Sequence, residues 1–327
     1  MPLVLSLPGL LARDAYPPAP SLARLIALAR PPERDEAIDA LLAPRYGVVR
    51  QGDWPLASIR LAALGVDPGD RYWLSANPVT IVAGRDDLLL EREVSDLSAD
   101  DAQQLVETLN AHFAADSIAF VAPRPDAWFL RADSAPALAT HPLDAARGRT
   151  LRELMPHGPD ARTWRRYQNE IQMLLFEHPV NVAREQAAKL PANSVWLEYG
   201  GTRAARTPSH AIRTWTDNAT VAALAAFARS PAQPLPASVA ECLANAEHDE
   251  TVVAFAGPVD VDAVERAFAR PALHALARGT VDTVTIVADG GGVALSWRAE
   301  RPSLWSRWTR RFGERDLAAN LALAEDR

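Results

Sequence analysis

The chain has 327 residues, of which 48% are hydrophobic and 23% charged, an ordinary globular composition with length for one large domain or two ordinary ones. A formal net charge of -7 argues against a general nucleic-acid partner, and no run approaches the roughly 20 apolar residues that cross a bilayer. The single cysteine, Cys242, cannot form an internal disulfide, which fits a reducing compartment, and its apolar setting reads as a buried structural thiol.

The opening "MPLVLSLPGLLARDAY" is apolar but lacks the basic start of a signal peptide, and Pro8 and Gly9 cut it short. Leu3 to Leu7 reads as a buried strand, and a cytoplasmic protein with no membrane partner is expected. Helical patterns follow at 21–30, 34–43 and 55–65. "RYWLSANPVTIVAGRDDLLLEREV" reads as strands broken at Asn77-Pro78 and at Gly84–Asp87, breaks too short for a crossover helix, so an antiparallel meander is expected. Ser98 with Asp101 opens a helix in capping-box fashion, with Leu105, Leu109 and Phe113 on one face. Strands follow at "IAFVAP" and "AWFLRA".

Residues 132–158 are rich in Pro, Ala and Gly and suggest a change of lobe inside one compact unit spanning 1–327. A helix starts near Pro159-Asp160, where Pro suits the first turn, with Trp164, Tyr167, Ile171, Leu174 and Leu175 as its apolar stripe. His178 continues the stripe and Pro179 stops or bends the helix. "NSVWLEY" is a strand ended by Gly200-Gly201. "AIRTWT" is another strand, then a helix over "NATVAALAAFAR" and a surface linker at 230–236. The remainder reads as helix, strand "ETVVAFAG", helix 260–277 and a strand pair turning on Gly290–Gly292. Alternation of short apolar runs with helical patterns gives the fold class: α/β, a layered mixed sheet flanked by helices. The tail "SLWSRWTRRFGER" reads as a helix with Leu304, Trp305, Trp308 and Phe312 on one face and Arg307, Arg310 and Arg311 solvated. That face docks on the core or meets a protein partner.

Motifs with dedicated chemistry are scarce. Neither Gly cluster fits a dinucleotide or P-loop pattern, and no zinc-type His or Cys spacing or nucleophile elbow occurs. Ser209-His210 stands as an isolated pair. No cofactor, metal or catalytic residue is therefore assigned. The candidate ligand site is His178, Asn181, Arg184, Asn193, Gly200 and Gly201. Asn side chains both donate and accept, and an Arg beside a strand end can hold a planar anion. The same residues could equally cap helix ends and satisfy loop carbonyls.

The run "NEIQMLLFEHPVNVAREQAAKLPANSVW", with "YWLSANPVTI", "LSADDAQQLVETLNAHF", "PRPDAWFLRA" and "HGPDARTWRRYQNEIQMLL", resembles the RpfE-like regulatory family, a relative of the cofactor-independent phosphoglycerate mutases. The resemblance covers most of residues 70–202 and implies an alkaline-phosphatase-like core with an α+β meander insertion. In such mutases two metals, held by Asp and His, clamp the reacting oxygens, with a Ser or Thr nucleophile. This chain departs from that pattern. Pro8-Gly9 stands where an Asp-Gly follows the first strand. "TVTIVADGGGVALSW" carries no His. "SANPVT" places Ser75, Asn77 and Thr80 where the mutases carry a more ionic sequence, and Glu198 or Tyr199 replaces an Arg before the Gly pair. The resemblance thus implies a non-catalytic regulatory or binding protein with a small polar or weakly anionic ligand; the alternative is a metal-dependent mutase or phosphatase.

Overall fold

The structure is a computed structural model that describes residues 1–13, 15–84, 88–146, 151–207, 210–244, 249–301 and 316–325. Two compact units divide the chain: Met1–Gly47 with Pro208–Arg327, and Val48–Thr207. Residues 132–158, where the sequence suggests a change of lobe, lie inside the second unit.

Unit 1 begins with β1 (Pro2–Leu7), α1 (Pro20–Leu28), β2 (Glu33–Asp35) and α2 (Ile38–Leu42). The helical reading of 34–43 needs correction, because Glu33 to Asp35 pair with a later strand before the helix starts. The chain then builds unit 2 with α3 (Leu56–Ala63), β3 (Tyr72–Ala83), β4 (Leu88–Glu93), α4 (Ala99–His112), β5 (Ile118–Arg124), β6 (Ala127–Ala132), α5 (Leu143–Ala146), α6 (Leu151–Leu154), α7 (Ala161–Phe176), α8 (Pro179–Gln186) and β7 (Ser194–Gly201). It returns to unit 1 for β8 (Ile212–Thr216), α9 (Ala219–Phe227), α10 (Val239–Leu243), β9 (Glu250–Ala254), α11 (Val261–Val264), α12 (Arg270–Arg278), β10 (Thr283–Gly290), β11 (Val293–Glu300) and a C-terminal helix, Leu317–Glu325.

The sheet of unit 1 runs β2-β11-β10-β1-β9-β8. β10, β1, β9 and β8 are mutually parallel, while β11 and β2 extend the edge antiparallel. A central parallel strand is covered on both faces. That is why "LVLSL" is apolar but for Ser6, and Leu3, Val4, Leu5 and Leu7 are fully buried. Its core also takes in α1, α12, the C-terminal helix and the Cys242 thiol, which burial pushes up to about 12. Pro271 cannot donate to a carbonyl one turn back; a π turn over Glu265–Ala269 precedes it, and the helix continues. The β10–β11 hairpin turns on Gly291 and Gly292, both at positive φ, as a tight two-residue turn requires.

In unit 2 the long β3 is the spine. It pairs antiparallel with β6 and β4 and with β7, and β6 pairs with β5; the sheet is antiparallel as expected, in the order β4-β3-β6-β5 with β7 on β3. The expected break at Asn77-Pro78 does not occur. Proline's fixed φ is compatible with extended backbone, and the Pro78 carbonyl still accepts from Val94 N at 2.8 Å. Helices α4 and α7 cover one face, with Leu105, Leu109, Phe113, Trp164, Tyr167 and Ile171 in its core. The capping box of α4 is present: Asp101 N donates to Ser98 Oγ at 3.0 Å, and Ser98 N donates back to the Asp101 carboxylate. Replacing Ser98 with Ala should lower stability by about 1 kcal/mol in urea unfolding; a change near zero would mean the cap is solvent-compensated.

A layered α/β protein with sheets flanked by helices is thus what the sequence pattern indicates and what the chain forms. The Trp- and Arg-bearing stretch expected as a helix at 303–315 lies outside the described residues.

Candidate functional site

The six residues singled out by sequence fall into two groups at opposite ends of β7. Asn193 precedes the strand and Gly200-Gly201 end it, so at about 3.3 Å per residue they stand some 20 Å apart. The structure therefore does not bring all six together.

At the first end the polar groups are turned toward backbone. Asn181 is fully buried, and its Nδ2 donates to Leu175 O (2.7 Å) and Ala192 O (2.9 Å) while its Oδ1 accepts from Ala192 N (2.8 Å). Asn193 grips Ile81 the same way, Oδ1 accepting from Ile81 N and Nδ2 donating to Ile81 O, both 2.9 Å. Arg184 donates through Nε to Leu190 O at 2.9 Å and pairs through Nη2 with Asp96, whose carboxyl this bond holds below its usual range. His178 caps α8: its Nδ1 accepts from Val180 N at 3.2 Å, which leaves Nε2–H to donate to Thr108 Oγ1 at 3.0 Å. Partial burial lowers its pKa, in keeping with that neutral tautomer.

At the other end, Gly200 and Gly201 remain within the strand. A Cβ on Gly200 would stand 2.1 Å from the Tyr72 hydroxyl, and one on Gly201 2.5 Å from Pro55 Cβ, so both glycines permit close packing. Just before them lies Glu198, 3% exposed. Its Oε1 accepts from Asn77 Nδ2 at 3.0 Å and its Oε2 from Leu143 N at 2.6 Å. Arg60 approaches to 3.7 Å. Burial pushes the Glu198 pKa up to about 8, and Arg60 only partly opposes it. Tyr199 follows at φ 58, unusual for a residue with a side chain, where β7 bulges against β3. The sequence signal for this cluster was one acid inside the otherwise apolar "SVWLEYGG"; its partners, 55 to 138 residues away along the chain, gave none.

Unit 2 also holds a cavity of about 790 Å³ lined by Leu90, Arg92, Glu91, Glu93, Asp96 and Lys189, with Leu143 in its wall. Arg184 sets this wall through Asp96, which also lies 3.9 Å from Lys189 Nζ.

In unit 1 the carboxyl ends of the parallel strands are where open α/β sheets place ligands. The acids there are tied to backbone amides. Gly9 N donates to Asp289 Oδ1 at 2.7 Å, and Ala256 N donates to Asp217 Oδ1 at 2.7 Å. Asp260 caps α11 by accepting from Asp262 N and Ala263 N. Among the described residues no three His, Cys, Asp or Glu side chains gather as a metal would need. This donor set does not fit the two-metal centre that the family resemblance implies. Glu250, at the opposite end of β9, is buried between Arg45 (2.5 Å) and His210 Nε2 (3.0 Å), which gives His210 a structural hydrogen-bond partner.

No family model matches the chain. It is 28% identical over 191 residues to the 2,3-bisphosphoglycerate-independent phosphoglycerate mutase of Methanosarcina barkeri, taking in 57% of this chain and 46% of that protein. The Methanosarcina mazei mutase is 26% identical over 180 residues, 54% of this chain and 44% of the relative. Among solved structures, the cofactor-independent phosphoglycerate mutase of Thermoplasma acidophilum aligns over 99% of both chains at 15% identity and TM-score 0.40. A Pyrococcus horikoshii protein aligns over 97% of this chain and 92% of its own at 14% identity and TM-score 0.48. The matched region spans somewhat under half the length of the curated relatives. Over more than half of its own length, the chain is related in sequence to the cofactor-independent phosphoglycerate mutases.

Proposed function

We propose that this chain is a non-catalytic regulatory or ligand-binding protein on a phosphoglycerate-mutase-like scaffold, akin to the RpfE-like family and working in the cytoplasm. One observation carries the reading. The acids at the carboxyl edge of the parallel sheet, Asp217, Asp260 and Asp289, accept hydrogen bonds from backbone amides, and Pro8-Gly9 stands where the mutase pattern has its first Asp. Carboxylates committed to backbone amides are poor ligands for a pair of divalent ions.

The ligand of this reading is a small polar molecule or a weak anion, held in the unit 2 cavity. Arg92 and Lys189 supply cationic donors there, and the Arg184–Asp96 pair positions the wall beside Lys189. Glu91 and Glu93 share the lining and repel a doubly charged phosphosugar. The Trp- and Arg-bearing 303–315 stretch is the surface proposed for a protein partner.

The test pairs elemental analysis and a mutase assay of the full chain with calorimetric titration of inorganic phosphate, 3-phosphoglycerate and a hydroxy monocarboxylate. The monocarboxylate should bind best, and Lys189→Ala should weaken it by about 1.5–3 kcal/mol, the range for a hydrogen bond to a charged group. The names of the sequence relatives favour a second reading, a metal-dependent mutase. Near-stoichiometric manganese or zinc, with phosphoglycerate interconversion lost on chelation, would establish that reading and overturn the first.

A further inference from the structure

Helix α7 carries its charges against its own dipole. Its first turn holds no acid and its last turn no base; Arg162, Arg165 and Arg166 stand near its amino end, and Glu177 follows its last residue. A helix favours the reverse, with anions at the amino end and cations at the carboxyl end. Asp160 precedes the helix, but its carboxylate accepts from Ala137 N at 2.7 Å. Arg166 is accounted for within unit 2, where it pairs with Asp116 at 3.3 Å and Glu170 at 3.5 Å. Arg162, Arg165 and Glu177 are exposed and make no ion pair among the described residues.

The same helix presents the two most exposed large apolar side chains among the described residues, Met173 at 76% and Phe176 at 65%. At about 3.6 residues per turn, its buried stripe of Trp164, Tyr167, Ile171 and Leu175 lies on one side, and Arg162, Arg165, Asn169, Met173 and Phe176 lie on the other. A groove of about 600 Å³ runs along the outer side, lined by Asn169, Gln172, Met173, Phe176 and Glu177. This side has two unlike halves arranged evenly about Asn169. Arg162 and Arg165 stand seven and four residues before it, and Met173 and Phe176 stand four and seven residues after it.

We propose that α7 is the surface through which two copies of this chain pair, antiparallel, about a two-fold axis at Asn169. In that register Phe176 meets the partner's Arg162 and Met173 meets the partner's Arg165, and each contact is made twice, as a self-complementary patch requires. The arginine stems cover the apolar side chains, and a guanidinium over the Phe176 ring gains a cation–π contact. Glu177 falls beside the partner's Arg162. The charges that oppose each helix's own dipole then stand at the opposite end of its partner's, where they are favourable. Asn169 meets its own copy, and an amide both donates to and accepts from another amide. A purely apolar partner helix would leave the arginines and Glu177 without counter-charges, so the charge pattern selects a second copy. With 16 residues at 1.5 Å each the helix is about 24 Å long, so the contact is small, of the size that forms weak or transient complexes. The inference does not rest on the proposed function.

Sedimentation equilibrium of the full chain over roughly 1–500 µM, a range that brackets weak interfaces, should show reversible formation of a dimer. Arg162→Glu and Glu177→Arg each set like charges face to face across the axis, and each should weaken the dimer about tenfold or more. An equimolar mixture of the two variants should recover it, because every facing pair then carries opposite charges. Oxidative cross-linking gives a readout independent of affinity. Asn169→Cys should cross-link to its own copy, whereas Arg162→Cys, whose copies stand about 21 Å apart along the pair, should not. The native Cys242 is buried and does not compete. All three positions are exposed, so these variants probe the contact and not the core. A chain that stays monomeric throughout the range overturns the proposal. So does a variant mixture that fails to recover the dimer, or cross-linking at position 162 and not at 169. A dimer indifferent to both charge variants also overturns it and places the contact on another face, such as the 303–315 stretch.

Discussion

Asn181→Ala should destabilise the protein by roughly 3 kcal/mol or more. One side chain satisfies Leu175 O, Ala192 O and Ala192 N, and it does so fully buried. Alanine removes all three partners without removing the groups they served, and each stranded buried group costs about 1–3 kcal/mol. The bonds join the end of α7 to the approach to β7, so the loss should also raise protease sensitivity between residues 176 and 193. Asn181→Asp distinguishes hydrogen bonding from packing. It keeps the volume and an acceptor for Ala192 N but turns a carboxylate oxygen toward two carbonyls. It should therefore be at least as damaging as alanine. An aspartate variant close to wild type in urea unfolding would show that the side chain matters by shape alone.

The second large effect belongs to unit 1. Helix α1 has no capping side chain of its own, and Ala19 precedes it. Its first amides are served from 244 residues away: Ser21 N donates to Glu265 Oε1 at 3.1 Å and Leu22 N to Oε2 at 3.0 Å. Glu265 is buried at the start of the π turn, and its negative charge meets the positive end of the helix dipole. Glu265→Ala should cost about 3 kcal/mol, since hydrogen bonds to a charged group contribute about 1.5–3 kcal/mol each. Glu265→Gln, which keeps one acceptor oxygen and loses the charge, should fall about midway. Equal thermal melts for the two variants would mean that the charge, and not the pair of bonds, stabilises the helix.

These two residues mark where the sequence was informative and where it was not. Features written in neighbouring residues were legible. The buried β1, the Ser98–Asp101 cap, the hairpin on Gly290–Gly292 and the antiparallel β5–β6 pair all follow from period, capping and turn chemistry within about a dozen residues. Asn181, Arg184 and Asn193 stand out as a polar group at a junction, and their use as backbone partners is one of the two readings that the sequence allows. Long-range features were not legible. Nothing near Glu265 signals that it caps a helix at Ser21, and nothing near Glu198 names Arg60 or Leu143 as its neighbours. Asn77-Pro78 misled because proline usually ends strands, whereas here the neighbouring strands supply enough pairing to carry β3 through it. The short β2 misled because "ERD" has no strand character of its own and pairs only because β11 presents an edge.

The order of strands in unit 1 has a consequence for how the protein is made. β1 leaves the ribosome long before its partners, which are β9, registered Leu3 to Thr251, and β10, registered Pro2 to Thr283. At typical synthesis rates the intervening chain takes roughly ten seconds to a minute to appear. The residues of unit 2 have all emerged once Thr207 has, so its internal contacts are available while β1 is still waiting. The nascent chain therefore carries an unpaired, largely apolar strand ahead of a completed unit 2. The five residues Leu3 to Leu7 are where a ribosome-associated chaperone would have most to do.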